Sequence, residues 1–146
     1  MNERDLVAGV EGCTIGARDF RHADHVHLAW IYLRDYPLLE AIARFISTLR
    51  RFAAHHGVPD KYHETVTWAY LLLIHERMPR DGEPQDWERF RMENDDLFAR
   101  SPSILERYYA RATLDSDGAR KSFVLPDAAL MTADSSSRGE CRAKRP

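Results

Sequence analysis

Two of the seven histidines in this 146-residue chain, His22 and His25, stand one helical turn apart. At about 100° per residue, both fall on the stripe of a predicted helix that also holds Val26, Ala29 and Leu33. An imidazole on a core-facing stripe costs free energy unless its ring nitrogens find partners. Neutral imidazole nitrogens bind divalent transition metals, and they exchange protons near neutral pH. The pair is therefore the starting point of a candidate site.

Short connections between the predicted helices bring further polar side chains towards this pair. Consecutive helices joined by short loops pack as antiparallel neighbours. The start of the first helix, the end of the second and the start of the third should then share one end of the bundle. His56 lies at the second of these positions and His63 at the third. Asn94, on the inward stripe of the fourth helix, returns to the same end. The topology predicts a pocket lined by four histidines and an amide.

Three kinds of chemistry fit such a pocket, and the sequence leaves all three open. A divalent transition metal, zinc or iron, would take His22, His25 and His63 as ligands and support hydrolytic or oxidative chemistry. A small organic or anionic ligand would instead use His25 or His63 as the catalytic acid or base. The side chains expected to line that ligand site are His56, Tyr62, Thr67, Tyr70 and Asn94. In the third interpretation the ring nitrogens only bond backbone carbonyls and tie the helix ends together.

The elements that must position these residues are all helical. Apolar residues recur at helical spacing between the capping residue Asp19 and the turn sequence PRDGEP, and again beyond it. No alternating run is long enough to build a sheet. The predicted helices span about 20–35, 37–56, 61–78, 85–100 and 102–112. We therefore predict an all-α fold, an antiparallel up-and-down bundle of four to five helices with irregular termini. The predicted division is a loop or loosely docked arm at 1–18, the bundle at 19–127 and a flexible tail at 128–146.

Composition and charge restrict the class of partner. A formal net charge of −2 argues against a surface for polyanions, so no nucleic-acid partner is expected. Cys13 and Cys141 match no metal or redox spacing, which favours a reduced, cytoplasmic setting. No apolar stretch is long enough for a signal peptide or a membrane span. The expected partner is thus a small molecule or a metal ion.

A competing interpretation assigns no enzymatic activity to the chain. A helical interaction module would use an exposed apolar groove to bind a partner protein or a second copy of itself, as a homodimer. Its histidines would then be structural. Metal content and the stability of histidine variants distinguish this interpretation from a histidine-lined pocket.

Three segments carry a resemblance. The segment at 20–30 reads F-x-H-x-x-H-[LV]-x-x-A-W, the segment at 61–70 contains Y-H-x-T, and the segment at 120–127 ends in V-x-P-D. In these motifs the chain resembles a group of small uncharacterised bacterial helical proteins. The resemblance implies a helical bacterial protein without an assignable activity. The positions that it marks for testing are His22, His25, Tyr62, His63 and Thr65. The helical count turns Thr65 away from His63.

Overall fold

The computed structural model describes residues 1–80 and 82–128, and this part of the chain is all-helical. Its α-helices are α1 (Glu3–Glu11), α2 (His22–Asp35), α3 (Leu38–His55), α4 (Glu64–Arg77), α5 (Trp87–Glu93), α6 (Arg111–Leu114) and α7 (Asp117–Lys121). Short 3₁₀ turns lie at Pro59–Lys61, Asp95–Leu97 and Ile104–Arg107. The predicted all-α class is confirmed, since the described residues form no strand. None of the described helices is both long and apolar enough to cross a membrane.

The central element is α2, which is apolar on nearly all sides. It packs against α1, α3 and α4. Val26 and every residue from 28 to 33 are buried. A helix that is hydrophobic all round is stable only when other helices cover it. The half-buried histidines at its N-terminal end, His22 and His25, therefore lie at the edge of the core.

The first 18 residues contain a helix, where the sequence analysis predicts a loop or a loosely docked arm. The side chain of Asn2 caps α1 by accepting a hydrogen bond from the N–H of Asp5 at 2.8 Å. Leu6 and Val10 are buried in the core. Gly9 allows the chain to fold back, because a Cβ at this position would lie 2.3 Å from Cγ1 of Ile15. The glycines that suggest a loop thus serve close packing beside a short helix.

The chain after α4 is less helical than its pattern predicts. The helix expected to reach residue 100 ends at Glu93, because Asn94 leaves helical geometry and donates its side-chain N–H to the carbonyl of Phe90 at 2.8 Å. The helix expected over 102–112 is replaced by a 3₁₀ turn capped by Ser103, followed by α6. Of the predicted tail at 128–146, only Ala128 lies within the described residues.

Candidate functional site

His22 and Tyr70, two of the predicted site residues, contact each other. The two rings meet edge to face with centroids 5.1 Å apart. The Nε2–H of His22 donates to the backbone carbonyl of Leu97 at 2.8 Å. The hydroxyl of Tyr70 lies 2.9 Å from Oγ of Ser103, and burial raises the pKa of Tyr70. Both side chains therefore hold the irregular segment after α5 against α2 and α4.

His25 is satisfied within its own turn of helix. Its Nδ1–H donates to the carbonyl of Arg21 at 2.8 Å, and its ring stacks on Phe20 with centroids 3.9 Å apart. Burial is the largest influence on this residue and lowers the pKa of His25. The surroundings thus favour a neutral ring that is held against the first turn of α2.

His56 lies at the same end of the molecule as His25, with two phenyl rings between them. Phe20 meets Phe52 at a centroid distance of 5.1 Å, and Phe52 meets His56 at 4.4 Å. The Nε2 atom of His56 is buried without a hydrogen-bond partner in the described part of the chain. We call the region that holds His22, His25, His56 and His63 the histidine end. The aromatic neighbours of His25, His22 and His56 are Phe20, Tyr70 and Phe52, respectively.

Both ring nitrogens of His63 are occupied by backbone groups. Nδ1 accepts a hydrogen bond from the N–H of Val66 at 3.2 Å and so caps the start of α4. Nε2 lies 2.7 Å from the carbonyl of Leu114, which can only accept, so Nε2 carries the proton. The ring is the neutral Nε2–H tautomer. The lone pair of the other ring nitrogen, Nδ1, already accepts the hydrogen bond that caps α4.

The three histidines predicted as metal ligands bond three different carbonyls, those of Leu97, Arg21 and Leu114. Among residues 1–80 and 82–128, no group of three or more His, Cys, Asp or Glu side chains is arranged to hold a metal ion. Binding of zinc or iron by His22, His25 and His63 together stays a prediction. The same holds for an acid–base role of His25 and His63.

The other predicted ligand residues also have local partners. The hydroxyl of Tyr62 donates to Oε2 of Glu64 at 2.7 Å, and burial raises the pKa of Tyr62. Thr67 donates to the carbonyl of His63 at 2.7 Å. Asn94 bonds Phe90, as described above. These hydrogen bonds stabilise helix ends and turns, and they do not converge on a common point.

Thr65 has a structural role that the helical count did not reveal. It is fully buried, and its hydroxyl donates to the carbonyl of Ser122 at 2.9 Å and accepts from the N–H of Val124 at 3.1 Å. The Asp127 carboxylate accepts hydrogen bonds from the Thr113 hydroxyl and the Ala110 N–H, and these lower the pKa of Asp127. The Y-H-x-T and V-x-P-D segments thus hold the chain after α5 onto α4. We call the contacts of His63, Thr65 and Asp127 the C-terminal clasp.

A further histidine, His27, was absent from the predicted site. Its ring stacks on Trp87 with centroids 3.9 Å apart and planes 4° from parallel. Its Nε2 lies 3.5 Å from Oε1 of Glu3, an electrostatic contact rather than a hydrogen bond. Burial is the main cause that lowers the pKa of His27. The residue joins α1 to α2 and α5.

A different region, the outer face of α3, is exposed at Leu39, Ala43 and Arg50, while Ile46 on the same face also packs against the core. Its residues follow one another at spacings of four and three: Leu39, Ala43, Ile46, Arg50 and Ala53. The buried face of the same helix consists of Ala41, Ile42, Phe45, Thr48 and Phe52. Leu39 is 79% exposed. Alternating spacings of four and three are typical of a face that packs against another helix.

Beside this face, an open groove of about 400 Å³ lies between α3 and α4. Its lining consists of Leu39, Ile42, Ala43, Ile46, Ser47, Arg50 and Trp68. Trp68 forms the α4 wall, and its ring lies 5.9 Å from that of Phe123, which extends the apolar surface. We call this region the α3–α4 groove.

Glu64 fixes the α4 wall of the groove. One carboxylate oxygen accepts the Nε1–H of Trp68 at 2.9 Å. The other accepts from the Tyr62 hydroxyl, as noted above, and from Arg50 at 3.3 Å. The guanidinium of Arg50 also lies over the Tyr62 ring, 4.8 Å from its centroid. Glu64 therefore links Arg50 of α3 to α4 and holds the Trp68 indole in place.

The two regions differ in what they leave available to a partner. At the histidine end, the imidazoles of the predicted ligands are bonded to backbone groups of the chain itself. At the α3–α4 groove, aliphatic and aromatic surface faces solvent. Comparison with known proteins adds no relative to this geometry: no family model matches the chain, and no curated protein or solved structure matches it.

Proposed function

We propose that the chain is a non-enzymatic helical interaction module whose α3–α4 groove receives an amphipathic helix of a partner protein. The observation that carries the proposal is the outer face of α3, where Leu39 is left 79% exposed beside an apolar groove. Burial of apolar surface stabilises a complex by roughly 25 cal/mol per Å² before the costs of association are subtracted. A folded chain that exposes this face has a binding surface ready for use.

The lining of the groove defines the chemistry of the partner. The small side chains Ala43 and Ser47 are exposed in the middle of the groove, so a second helix can approach the α3 backbone closely there. Leu39, Ile46 and Trp68 border this low point with larger apolar surfaces. The best occupant is a helix with aliphatic side chains at spacings of three and four, since such a face interdigitates with the α3 face.

The hydrogen bonds of Glu64 support the proposal because they reduce the cost of binding. Ordering a side chain at an interface costs roughly 0.5–1.5 kcal/mol. Trp68 is held by its hydrogen bond to Glu64 before any partner arrives. Tyr62 and Arg50 share the same carboxylate. A partner helix therefore meets a wall that is already in place.

Structural roles for the histidines also support this function. His63 caps α4, His22 anchors the segment at Leu97, and His25 bonds the carbonyl of Arg21 at the first turn of α2. Each ring thus donates its N–H to a backbone carbonyl, and the second ring nitrogen of His63 is engaged as well. An interaction module requires these helix ends to be stable, and it requires no reactive group among them.

The test is a titration of the full ¹⁵N-labelled chain with a synthetic leucine-rich amphipathic helix. We expect chemical-shift changes at the amides of Leu39, Ala43 and Ile46 and at the indole N–H of Trp68. Ala43→Glu should abolish these changes because it places a charge in the centre of the groove. Ala112→Glu, at an exposed alanine of α6 outside the groove, is the matched control and should bind as wild type. Changes that avoid the groove, or that survive Ala43→Glu, contradict the proposal.

A further inference from the structure

The outer face of α3 has the properties that the groove requires of its ligand. We infer that the occupant of the α3–α4 groove is α3 of a second copy of this chain, packed antiparallel about a two-fold axis. The inference rests on the proposed function and names the partner for that same surface. Three features of α3 support it: its apolar spacing, its charge distribution and the apolar surface around it.

The apolar spacing is self-complementary. In a two-fold interface the same surface serves on both copies. An antiparallel register centred between Ala43 and Ile46 sets the small Ala43 of one copy against the large Ile46 of the other, twice by symmetry. The same register sets Leu39 against the aliphatic stem of Arg50. Large side chains thus meet small or flexible ones along the whole face, which permits close packing of the two helices.

The charges at the two ends of α3 select the antiparallel direction. Glu40 follows Leu39 near the start of α3, Arg50 lines the groove towards the end of α3, and both side chains are exposed. An antiparallel pair brings Glu40 of each copy towards Arg50 of the other. A parallel pair would place like charges together. Arg44 is the present partner of Glu40 in an exposed ion pair of little net worth, and Arg50, whose side chain is 59% exposed, can meet Glu40 of a second copy while it keeps its bond to Glu64.

Further apolar surface enlarges the contact beyond the helix pair. Leu72 and Phe123 are exposed, and both lie on the side of the groove that Trp68 forms. A stable interface buries about 800 Å² on each partner, and smaller ones are transient. An interface built on one helix face and a few flanking side chains belongs to the smaller class. We therefore expect a reversible dimer with a dissociation constant in the micromolar range.

Sedimentation velocity of the full chain over a series of micromolar concentrations tests the inference. Wild type should shift from monomer to dimer. Ala43→Glu and Leu39→Glu should each weaken the dimer by at least about tenfold. Leu39→Glu keeps the test valid should Ala43→Glu perturb the helix, because Leu39 contributes little to the core. Ala112→Glu should dimerise as wild type.

Charge reversal tests the direction of packing. Glu40→Arg and Arg50→Glu should each weaken the dimer, since each creates two repulsive contacts. The double variant Glu40→Arg with Arg50→Glu should restore it, because each arginine again faces a glutamate of the other copy. In a parallel dimer, position 40 of one copy would face position 40 of the other, and position 50 would face position 50. Like charges would then oppose each other in the wild type and in the double variant, so the double variant would not restore dimerisation. Absence of restoration overturns the antiparallel arrangement.

The outcomes separate the inference from the proposed function. A chain that is monomeric at every concentration, yet binds the synthetic helix at Trp68, overturns the second copy as occupant and leaves the interaction module intact. A dimer that is unaffected by Ala43→Glu and Leu39→Glu uses another surface and also overturns the inference. A monomer that does not bind the synthetic helix overturns both.

Discussion

The histidine end and the α3–α4 groove differ in how far their side chains are available to a binding partner. At the histidine end, backbone carbonyls accept one ring N–H from each of His22, His25 and His63, and the second ring nitrogen of His63 accepts the N–H of Val66. The groove has no reactive group, and its apolar side chains face water. Residue type alone therefore does not establish that a side chain is available, because carbonyls and helix ends of the same chain can bond it first.

Removal of His63 should have the largest effect on stability. His63→Ala removes the cap of α4 and the bond to Leu114, and we expect it to lower the free energy of unfolding by about 3 kcal/mol. Urea denaturation measures the change. His55→Ala, at an exposed histidine, is the control and should lie within about 0.5 kcal/mol of wild type.

The metal content of wild type and of His63→Ala tests whether the histidine end is a binding site after all. Elemental analysis of the purified chain, prepared without a histidine tag, gives its metal content. Stoichiometric zinc or iron in wild type that is lost from His63→Ala would restore the metal prediction. The metal prediction would also be restored if His63→Ala lost a bound metal while its free energy of unfolding stayed that of wild type.

Removal of the Thr65 hydroxyl should have the next largest effect. Thr65→Val leaves the carbonyl of Ser122 and the N–H of Val124 without their partner in a buried place, at a cost of about 2 kcal/mol. Thr65→Ser keeps the hydroxyl and should recover most of this loss. Thermal unfolding of both variants checks the role of the C-terminal clasp. Equal stability of the valine and serine variants would show that the hydroxyl contributes nothing.

Acid should weaken the fold through two histidines. Burial lowers the pKa of His25 and His27 below the ordinary value of 6.5. The unfolded chain therefore takes up protons before the folded chain does. Stability should be full above pH 6.5 and should decline as the pH falls below it, by about 1.4 kcal/mol for each unit of pKa displacement.

Histidine variants assign this pH dependence. His25→Gln and His27→Gln should each flatten the profile of unfolding free energy between neutral and mildly acidic pH. A profile with the same slope in both variants would show that other groups cause it. Ring protonation is visible independently by NMR, and the stacked Trp87 gives a fluorescence signal for His27.

Substitution in the groove should have the smallest effect on stability. Leu39→Glu changes a side chain that is already in water, so we expect a change within about 0.5 kcal/mol in urea denaturation. The same substitution should remove binding at the groove. A loss of several kcal/mol would instead place Leu39 in the core and would contradict the distinction between the two faces of α3.

Much of the fold could be predicted from the sequence because apolar residues recur at helical spacing over several turns in each long helix. The apolar periodicities of α2, α3 and α4 place these helices within a few residues of their observed bounds. The short helix α1 could not be predicted, since Gly9 reads as a loop signal when its contact with Ile15 is unknown. The end of α5 depends on a side-chain bond of Asn94 to Phe90, which has no signature in periodicity.

The arrangement of the candidate site was harder to predict, since it depends on contacts between distant segments. Bundle topology predicts that His25 and His56 share one end, and it cannot reveal that Phe20 and Phe52 lie between them. The partner of His63 is a carbonyl 51 residues later in the chain. The spacing of Leu39, Ala43 and Ile46 is present in the sequence, but it does not reveal that Ile46 contacts the core and also lines the groove. Only the packed structure distinguishes the two faces of α3.

The central claim is that the α3–α4 groove, rather than the histidine end, is the binding surface of this protein. The most direct measurement is the ¹⁵N NMR titration of the full chain with the amphipathic helix, read at all assigned amides and at the three tryptophan indoles. We predict changes centred on Leu39, Ala43, Ile46 and Trp68, with the amides around His22 and His25 unchanged. Changes centred on the histidine end, or none at the groove, would contradict the account.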